Sequence, residues 1–214
     1  MPFVGFSFTA TMKTITALKK ARTKIKISDY LPSTYADYLE TFNNKVIKIT
    51  PVDKGIETIN VLLSTDQFAH LLGLQYCYGK QTSKMNFKGA SGFELLKENS
   101  VSIEQLESNF NKNKYNKEIR GLTWKHNILP RMEWLPCFLN DLSKSSYKLC
   151  LNTSSESKMS GDYLLFKTGR DKYLILSLLK VGDKYTCESF ISDSGLAYYD
   201  PDNEIEIESI TVSN

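Results

Sequence analysis

The fold of this chain is decided by four short apolar segments in its last third: SYKLCL (146–151), YLLFK (163–167), KYLILSLLK (172–180) and KYTCESFIS (184–192). Their period of two and their β-branched and aromatic residues predict strands. The connections at 168–171 and 181–183 are short and carry turn residues, so neighbouring strands must run antiparallel. We therefore predict an antiparallel meander over residues 146–192. Alternating Ile and Glu over 204–208 predict a further edge strand.

Helical spacing dominates upstream of the meander. Residues 29–42 carry one apolar stripe and predict a helix, and residues 45–50 and 56–63 predict a hairpin that turns at 51–55. The next helix is expected at 67–72, where Gly73 ends it, and another at 93–97. A capping box at Ser102 predicts the start of a third. A fourth is expected over 119–142, with kinks at Pro130 and Pro136. Residues 75–92 read as a mobile loop. The fold class is therefore α+β, an antiparallel meander sheet packed against N-terminal and central helices.

Basic and acidic residues are concentrated near opposite ends of the chain. Residues 13–26 contain six basic residues and no acidic one, whereas residues 193–208 contain six acidic residues and no basic one. We predict a basic N-terminal arm or extra helix over 1–27 and a single α+β domain over 28–214. The arm is either a nucleic-acid attractant or a solvated helix face.

Several classes of protein are disfavoured by the sequence. No apolar run reaches the roughly 18 residues of a membrane span, and no basic residue precedes the first short apolar run, so we expect a cytoplasmic protein. The four cysteines form no Cys-x-x-Cys pair, which indicates free thiols. Dinucleotide, P-loop, zinc-protease and serine-hydrolase motifs are missing. We expect no metal and no cofactor.

The chain has only two histidines. His126 follows Trp124 and Lys125 on a charged helix face, which favours a structural role. His70 lies between Phe68 and Leu71 in the middle of a predicted helix. It is either a satisfied, partly buried side chain or a group that titrates near neutral pH.

Four segments resemble one known group of proteins: FAHLLGL (68–74), PRMEWL (130–135), YLLF (163–166) and YTCESF (185–190). They are similar to the phage and mobile-element nuclease-like group of the barnase–EndoU–colicin–RelE (BECR) superfamily, over about residues 28–200. In that group the last segment typically reads Pro-x-Thr-Phe. Here Cys187 replaces the proline and Ser189 the threonine, and serine keeps a hydroxyl that can donate a hydrogen bond.

The resemblance implies a metal-independent ribonuclease, a toxin or effector that cleaves RNA by attack of a ribose 2′-hydroxyl on the adjacent phosphate. His70 would be the acid or base and Arg131 the phosphate clamp. Ser189 would orient a phosphate oxygen, and Tyr198 would stack on a base or donate a proton. Lys167 would supply a second cation. Basic and aromatic residues around Tyr78, Lys80 and Lys84 would bind RNA, unless that loop is disordered and its aromatics incidental.

Two other functions are compatible with the sequence. An inactive relative could bind a protein partner, such as an antitoxin or a host defence protein in a bacterial cytoplasm, in the manner of an anti-CRISPR inhibitor. In that case the acidic tail would mimic nucleic-acid phosphates. Alternatively, the basic segment 13–26 could lead nucleic-acid binding without catalysis.

Overall fold

The computed structural model describes residues 12–77, 87–142, 147–153, 159, 161–168, 173–193 and 198–214. Those residues form seven α-helices and eight strands. The helices are α1 (Ile15–Lys19), α2 (Pro32–Glu40), α3 (Thr65–Leu71), α4 (Gly89–Lys97), α5 (Ile103–Lys112), α6 (Lys114–Glu118) and α7 (Leu129–Leu139). The strands are β1 (Val46–Pro51), β2 (Ile59–Leu62), β3 (Tyr147–Leu151), β4 (Tyr163–Thr168), β5 (Tyr173–Val181), β6 (Lys184–Asp193), β7 (Glu204–Ile205) and β8 (Ile207–Ser213).

The predicted meander is confirmed. Strands β3, β4, β5 and β6 pair antiparallel in chain order. The predicted hairpin is also confirmed, because β1 and β2 pair antiparallel, and β2 joins the meander by a parallel pairing with β6. The sheet order is β7-β3-β4-β5-β6-β2-β1-β8.

The C-terminal tail supplies both flanking strands of this sheet. Strand β7 pairs with β3 at one edge, and β8 pairs with β1 at the other. Only Glu206 separates β7 from β8, so the two edges must approach one another and the sheet curls into a nearly closed barrel. The edge strand predicted over 204–208 is therefore two strands on opposite edges.

The meander strands bury side chains on both faces. One face contributes Leu176, Leu178 and Phe190 to the main core, where they meet helix residues such as Phe68 and Phe138. The other face forms a smaller cluster of Cys150, Met159, Leu164, Phe166 and Ile175. Burial on both faces explains why β4 and β5 read as nearly continuous apolar runs rather than as strict alternation.

The helix in the basic N-terminal segment is shorter than the sequence suggests. Only Ile15–Lys19 is helical, because Thr14 makes no side-chain cap and β-branched residues follow. The chain then runs along α7, where the Ile25 amide donates to the Glu133 carbonyl over 3.0 Å. Lys24 pairs with Glu133 at 2.7 Å and Arg22 with Asp141 at 3.2 Å, so two of the segment's cations form ion pairs with α7 and the residues just after it.

The helical stretch predicted over 119–142 is shorter than expected, because it begins at Trp124 and ends at Leu139, and neither Pro130 nor Pro136 interrupts it. A single π-helical turn, Trp124–Ile128, precedes α7, and Pro130 lies in the first turn of α7, where a missing amide proton is harmless. Pro136 lies inside α7 without ending it. Since Pro136 cannot donate to the carbonyl of Met132, the Tyr35 hydroxyl does so instead, over 2.7 Å.

Two shorter predictions have mixed outcomes. The capping box at Ser102 is confirmed, with reciprocal bonds to Gln105. The loop prediction over 75–92 is wrong at both ends, because Leu74–Cys77 is a 3-10 turn and α4 begins at Gly89. Helix α4 thus starts four residues earlier than the apolar pattern indicates.

The described residues show neither a membrane span nor a metal cluster. No helix among them is both long enough and apolar enough to cross a bilayer. In the same part of the chain, no three His, Cys, Asp or Glu side chains are grouped so that they could hold a metal ion. All four cysteines are buried free thiols.

Candidate functional site

A cleft of about 570 Å³ opens beside the C-terminal end of β6. Three residues singled out in the sequence, Arg131, Ser189 and Tyr198, line it together. The remaining wall comes mainly from the chain around α6 and the π-helical turn, and includes Tyr76, Ile119, Arg120, Leu122, His126 and Asn127. Residues on four distant parts of the sequence thus meet at one concave surface.

Arg131 is the buried cation of this cleft. Its side chain is only 7% exposed. Its Nε donates to the Asn127 carbonyl over 3.0 Å, and its Cζ lies 5.8 Å from the centroid of the Tyr76 ring. Among the described residues, no carboxylate lies within ion-pair distance and no acceptor bonds its two terminal nitrogens. Burial lowers the pKa of Arg131, which shows that the surroundings disfavour its charge and would favour an anion beside it.

Gly73 brings α3 against this arginine. Its φ is +77°, a conformation that costs L-residues about 1–2 kcal/mol, so glycine ends the helix without strain. A β-carbon at this position would lie 2.9 Å from Ile128 Cδ1 and 3.4 Å from Arg131 Cδ. The backbone turn therefore favours glycine, and any larger residue would also displace the end of the Ile128 side chain.

His70 lies one turn before Gly73, near the end of α3. Its side chain is only partly shielded from solvent and does not line the cleft, but it is close enough to be influenced by Arg131 and Glu188. Partial burial and the Arg131 charge lower the pKa of His70, whereas Glu188 raises it. The net shift is downward, which favours the neutral form of the imidazole.

A β-bulge in β6 sets the direction of Ser189. Ser177 pairs with Ser189, but the next residue, Leu178, pairs with Cys187, so Glu188 is an extra residue in β6. Cys187 and Phe190 both belong to the main core, although strict alternation would place them on opposite faces. The bulge therefore turns Ser189 away from the main core, onto the face of Ile191 and toward the cleft.

His126 is a residue of the cleft to which the sequence pattern assigned no catalytic role. It is exposed, lines the cleft and belongs to the π-helical turn before α7. Its amide donates to Thr123 Oγ1 over 3.3 Å, and the Thr123 amide donates to Asn127 Oδ1 over 2.7 Å. Single π-helical turns often occur at functional sites, but no residue pattern in WKHNI announces one.

Lys167 is not brought to the cleft. It is 7% exposed, and its ammonium donates to the Cys137 carbonyl and to Asp141 Oδ2, each over 2.9 Å. It also lies 5.6 Å from the Tyr147 ring centroid. These contacts tie β4 to the end of α7, which is a structural role. Tyr78, Lys80 and Lys84 lie outside the described residues.

Tyr198 joins the cleft to the second apolar cluster. It is half-buried and packs against the cluster that contains Met159, Phe166 and Ile175. The same side chain lines the cleft, so its ring is held by apolar contacts beside the polar wall.

All of the residues that line the cleft lie in the part of the chain that one family model matches. The model described as "phage-Barnase-EndoU-ColicinE5/D-RelE like nuclease4" matches residues 33–211. The chain belongs to this nuclease-like family. The match covers α3, α7 and the whole meander, so every residue that lines the cleft lies within the matched range. No curated protein and no solved structure matches the chain significantly.

Membership supports a nuclease-type function and the binding of nucleic acid. It also supports the α+β fold of the BECR superfamily that the four resembling segments indicated. Within this nuclease-like fold, Arg131 and Ser189 occupy two of those segments and meet in the cleft, while His70, from a third, lies close to Arg131.

Proposed function

We propose that this protein is a metal-independent ribonuclease that cleaves RNA by 2′-hydroxyl attack and serves as a toxin or effector of a phage or mobile element. One observation carries the proposal: Arg131 is a buried cation without a described counter-charge, in a cleft that it shares with His126, Ser189 and Tyr198. Such a cation suits the charge that develops on a phosphorane.

The reaction needs a base at the 2′-oxygen and an acid at the leaving 5′-oxygen. We assign the base to His70, which lies close enough to Arg131 to be influenced by its charge and whose lowered pKa favours the neutral imidazole that can take the 2′-hydroxyl proton. His126 is the acid and donates a proton to the 5′-oxygen as its bond to phosphorus breaks. The products are a 2′,3′-cyclic phosphate and a free 5′-hydroxyl, so protons and bonds balance.

The remaining groups hold the substrate. Arg131 binds two oxygens of the reacting phosphate through its planar fork of donors, which takes the place of a metal ion in neutralising charge. The Ser189 hydroxyl donates to a phosphate oxygen, and the Tyr198 ring stacks on a neighbouring base.

The test is cleavage of total RNA in EDTA by the wild type and by His70→Ala, His126→Ala and Arg131→Lys. We expect cleavage by the wild type and a loss of about 10²-fold or more in each variant. Lys48→Gln, an exposed change on β1, is the control that should cleave normally.

Two results would count against the ribonuclease. Failure of the wild type to cleave any RNA would overturn it and leave a protein-binding role, in which Ser189 and Cys187 mark an inactive relative. Cleavage that survives all three substitutions would remove the proposed site while keeping the activity.

A further inference from the structure

A second arginine lines the same cleft. Arg120 follows α6, is exposed, and lies with its Cζ 5.1 Å from the ring centroids of both Tyr76 and Tyr115. Its side chain makes no hydrogen bond or ion pair with any residue in the described part of the chain. Aromatic rings alone therefore hold this guanidinium in place.

Tyr76 holds both arginines at once. Its ring centroid lies 5.1 Å from the Cζ of Arg120 and 5.8 Å from that of Arg131. The two positive charges can therefore be no more than about 11 Å apart, a span of roughly two to three nucleotides along a strand. Aromatic contact attracts a guanidinium and leaves its in-plane N–H groups free to bind an anion.

The position of Tyr76 is fixed by its backbone. The Tyr76 carbonyl accepts a hydrogen bond of 2.7 Å from Asn116 Nδ2, and Asn116 is only 2% exposed. The same amide also donates to the Phe110 carbonyl over 3.3 Å. Tyr76 is thus anchored to α5 and α6, and the two arginines are held by an anchored ring.

The surroundings favour an extended, unpaired strand. Asp193 is the acidic residue among the described lining residues, against Arg120 and Arg131, so the charge balance there is positive. Beside Arg120, Tyr115 is 51% exposed and Ile119 is 69% exposed. Such surface can receive unstacked bases, whereas paired bases in a duplex would not present their faces to it.

We propose that Arg120, positioned by Tyr76, forms a second phosphate subsite next to that of Arg131, and that the cleft therefore takes single-stranded polynucleotide at neighbouring phosphates. The inference rests on the proposed function in one respect, namely that Arg131 holds the reacting phosphate. It adds a substrate class, because a mononucleotide can occupy only one of the two subsites.

The test is binding, measured by fluorescence anisotropy at several salt concentrations, of a labelled hexamer of deoxythymidine. This probe keeps the phosphates but lacks the 2′-hydroxyl, so the proposed chemistry cannot cleave it. We expect Arg120→Gln to weaken hexamer binding about tenfold and to reduce the slope of log K against log[salt] by about 0.7. Binding of thymidine 5′-monophosphate, measured by competition, should not change.

Two further variants distinguish a specific contact of Arg120 with the strand from a general effect of positive charge on binding. Lys117→Gln removes one exposed positive charge from α6, outside the cleft, and should bind the hexamer like the wild type. Tyr76→Phe keeps the ring face that holds the arginines, whereas Tyr76→Leu removes it from both and should weaken binding of the hexamer and of the monophosphate.

The proposal is overturned if the wild type does not bind the hexamer, or if Arg120→Gln and Lys117→Gln have the same effect. Parallel cleavage of RNA distinguishes this failure from failure of the ribonuclease. Normal cleavage with Arg120-independent binding removes only the second subsite. Arg120-dependent binding without any cleavage supports the subsite and removes the ribonuclease.

Discussion

At the scale of single residues, the cleft combines a function with a cost to stability. A buried charge without a counter-charge destabilises a folded protein, because water no longer solvates it. Arg131 is such a charge, only 7% exposed and without a described carboxylate partner. Groups of this kind persist where binding requires them.

The first prediction is that Arg131→Met stabilises the protein while it abolishes function. Methionine fills similar volume without a charge, so we expect the free energy of unfolding to rise by about 0.5–2 kcal/mol. Urea unfolding measures this change, and cleavage of RNA measures the loss. A variant that is less stable than the wild type and still cleaves RNA would contradict the role given to Arg131.

The second prediction concerns the pH dependence that His70 imparts. Its pKa in the folded protein lies below the ordinary 6.5. Just below pH 6.5, the unfolded chain therefore binds more protons at this histidine than the folded protein does. Stability from this source is therefore intact above pH 6.5, falls with decreasing pH and stops falling below the folded pKa. Between pH 7.5 and 5.5, His70→Gln should lose less stability in urea unfolding than the wild type, and an equal loss in both would refute the shift.

Residue patterns located part of the site. Arg131, Ser189 and Tyr198 meet in the cleft, and all three were assigned from the resemblance to a family rather than from any spacing. His126 and Arg120 were not found, since the sequence distinguishes neither from an ordinary exposed residue. Their place in the cleft follows from the π-helical turn and from the rings of Tyr76 and Tyr115, which are tertiary features.

At the scale of elements, the junction of α3 with α7 depends on one glycine. The third prediction is that Gly73→Ala lowers the free energy of unfolding by about 2 kcal/mol, because it adds a clash with the end of the Ile128 side chain to the strain of its positive φ. Gly121→Ala is the matched control, with a φ of +63° and nothing within 4 Å of the added carbon, and should lose only about 1 kcal/mol. Hexamer binding should weaken in the first variant alone. Equal losses of stability would mean that close packing at Gly73 is unimportant.

The order of the elements was predictable from the sequence, but their irregularities were not. Short turns predicted the meander because they leave strands no other partner. The bulge at Glu188 coincides with two consecutive polar residues, Glu188 and Ser189, in a segment that alternates up to that point, but such a pair does not by itself distinguish a bulge from the end of a strand. The parallel pairing of β2 with β6 joins segments more than 120 residues apart, and no local pattern specifies it.

At the scale of the whole molecule, the curled sheet is closed by its tail. The β7–β8 segment pairs with β3 on one side and β1 on the other, and the Val52 amide donates to the Glu206 carbonyl over 2.9 Å at the junction. The single connecting residue leaves no slack, so the spacing of the two edges is set by the chain itself.

The fourth prediction follows from this junction. Inserting Gly-Ser-Gly between Ile205 and Glu206 should destabilise the protein strongly, because β7 and β8 can no longer both keep register. The same insertion between Gly182 and Asp183, at the exposed tip of the β5–β6 hairpin, should have little effect. Thermal unfolding should show a fall of about 2–4 °C for each kcal/mol lost, and amides of β1 should exchange faster in the first variant only. Similar melting temperatures for both insertions would mean that the tail does not hold the sheet closed.

The tail also dictates an order of assembly on the ribosome. Strand β1 emerges early and can pair at once with β2, but its second neighbour, β8, is made more than 150 residues later. Throughout that interval the outer edge of β1 presents unpaired amides and carbonyls, the kind of surface to which other nascent strands add. A helper that shields this edge during synthesis would raise the yield of folded protein, and would have no purpose once residues 207–213 are in place.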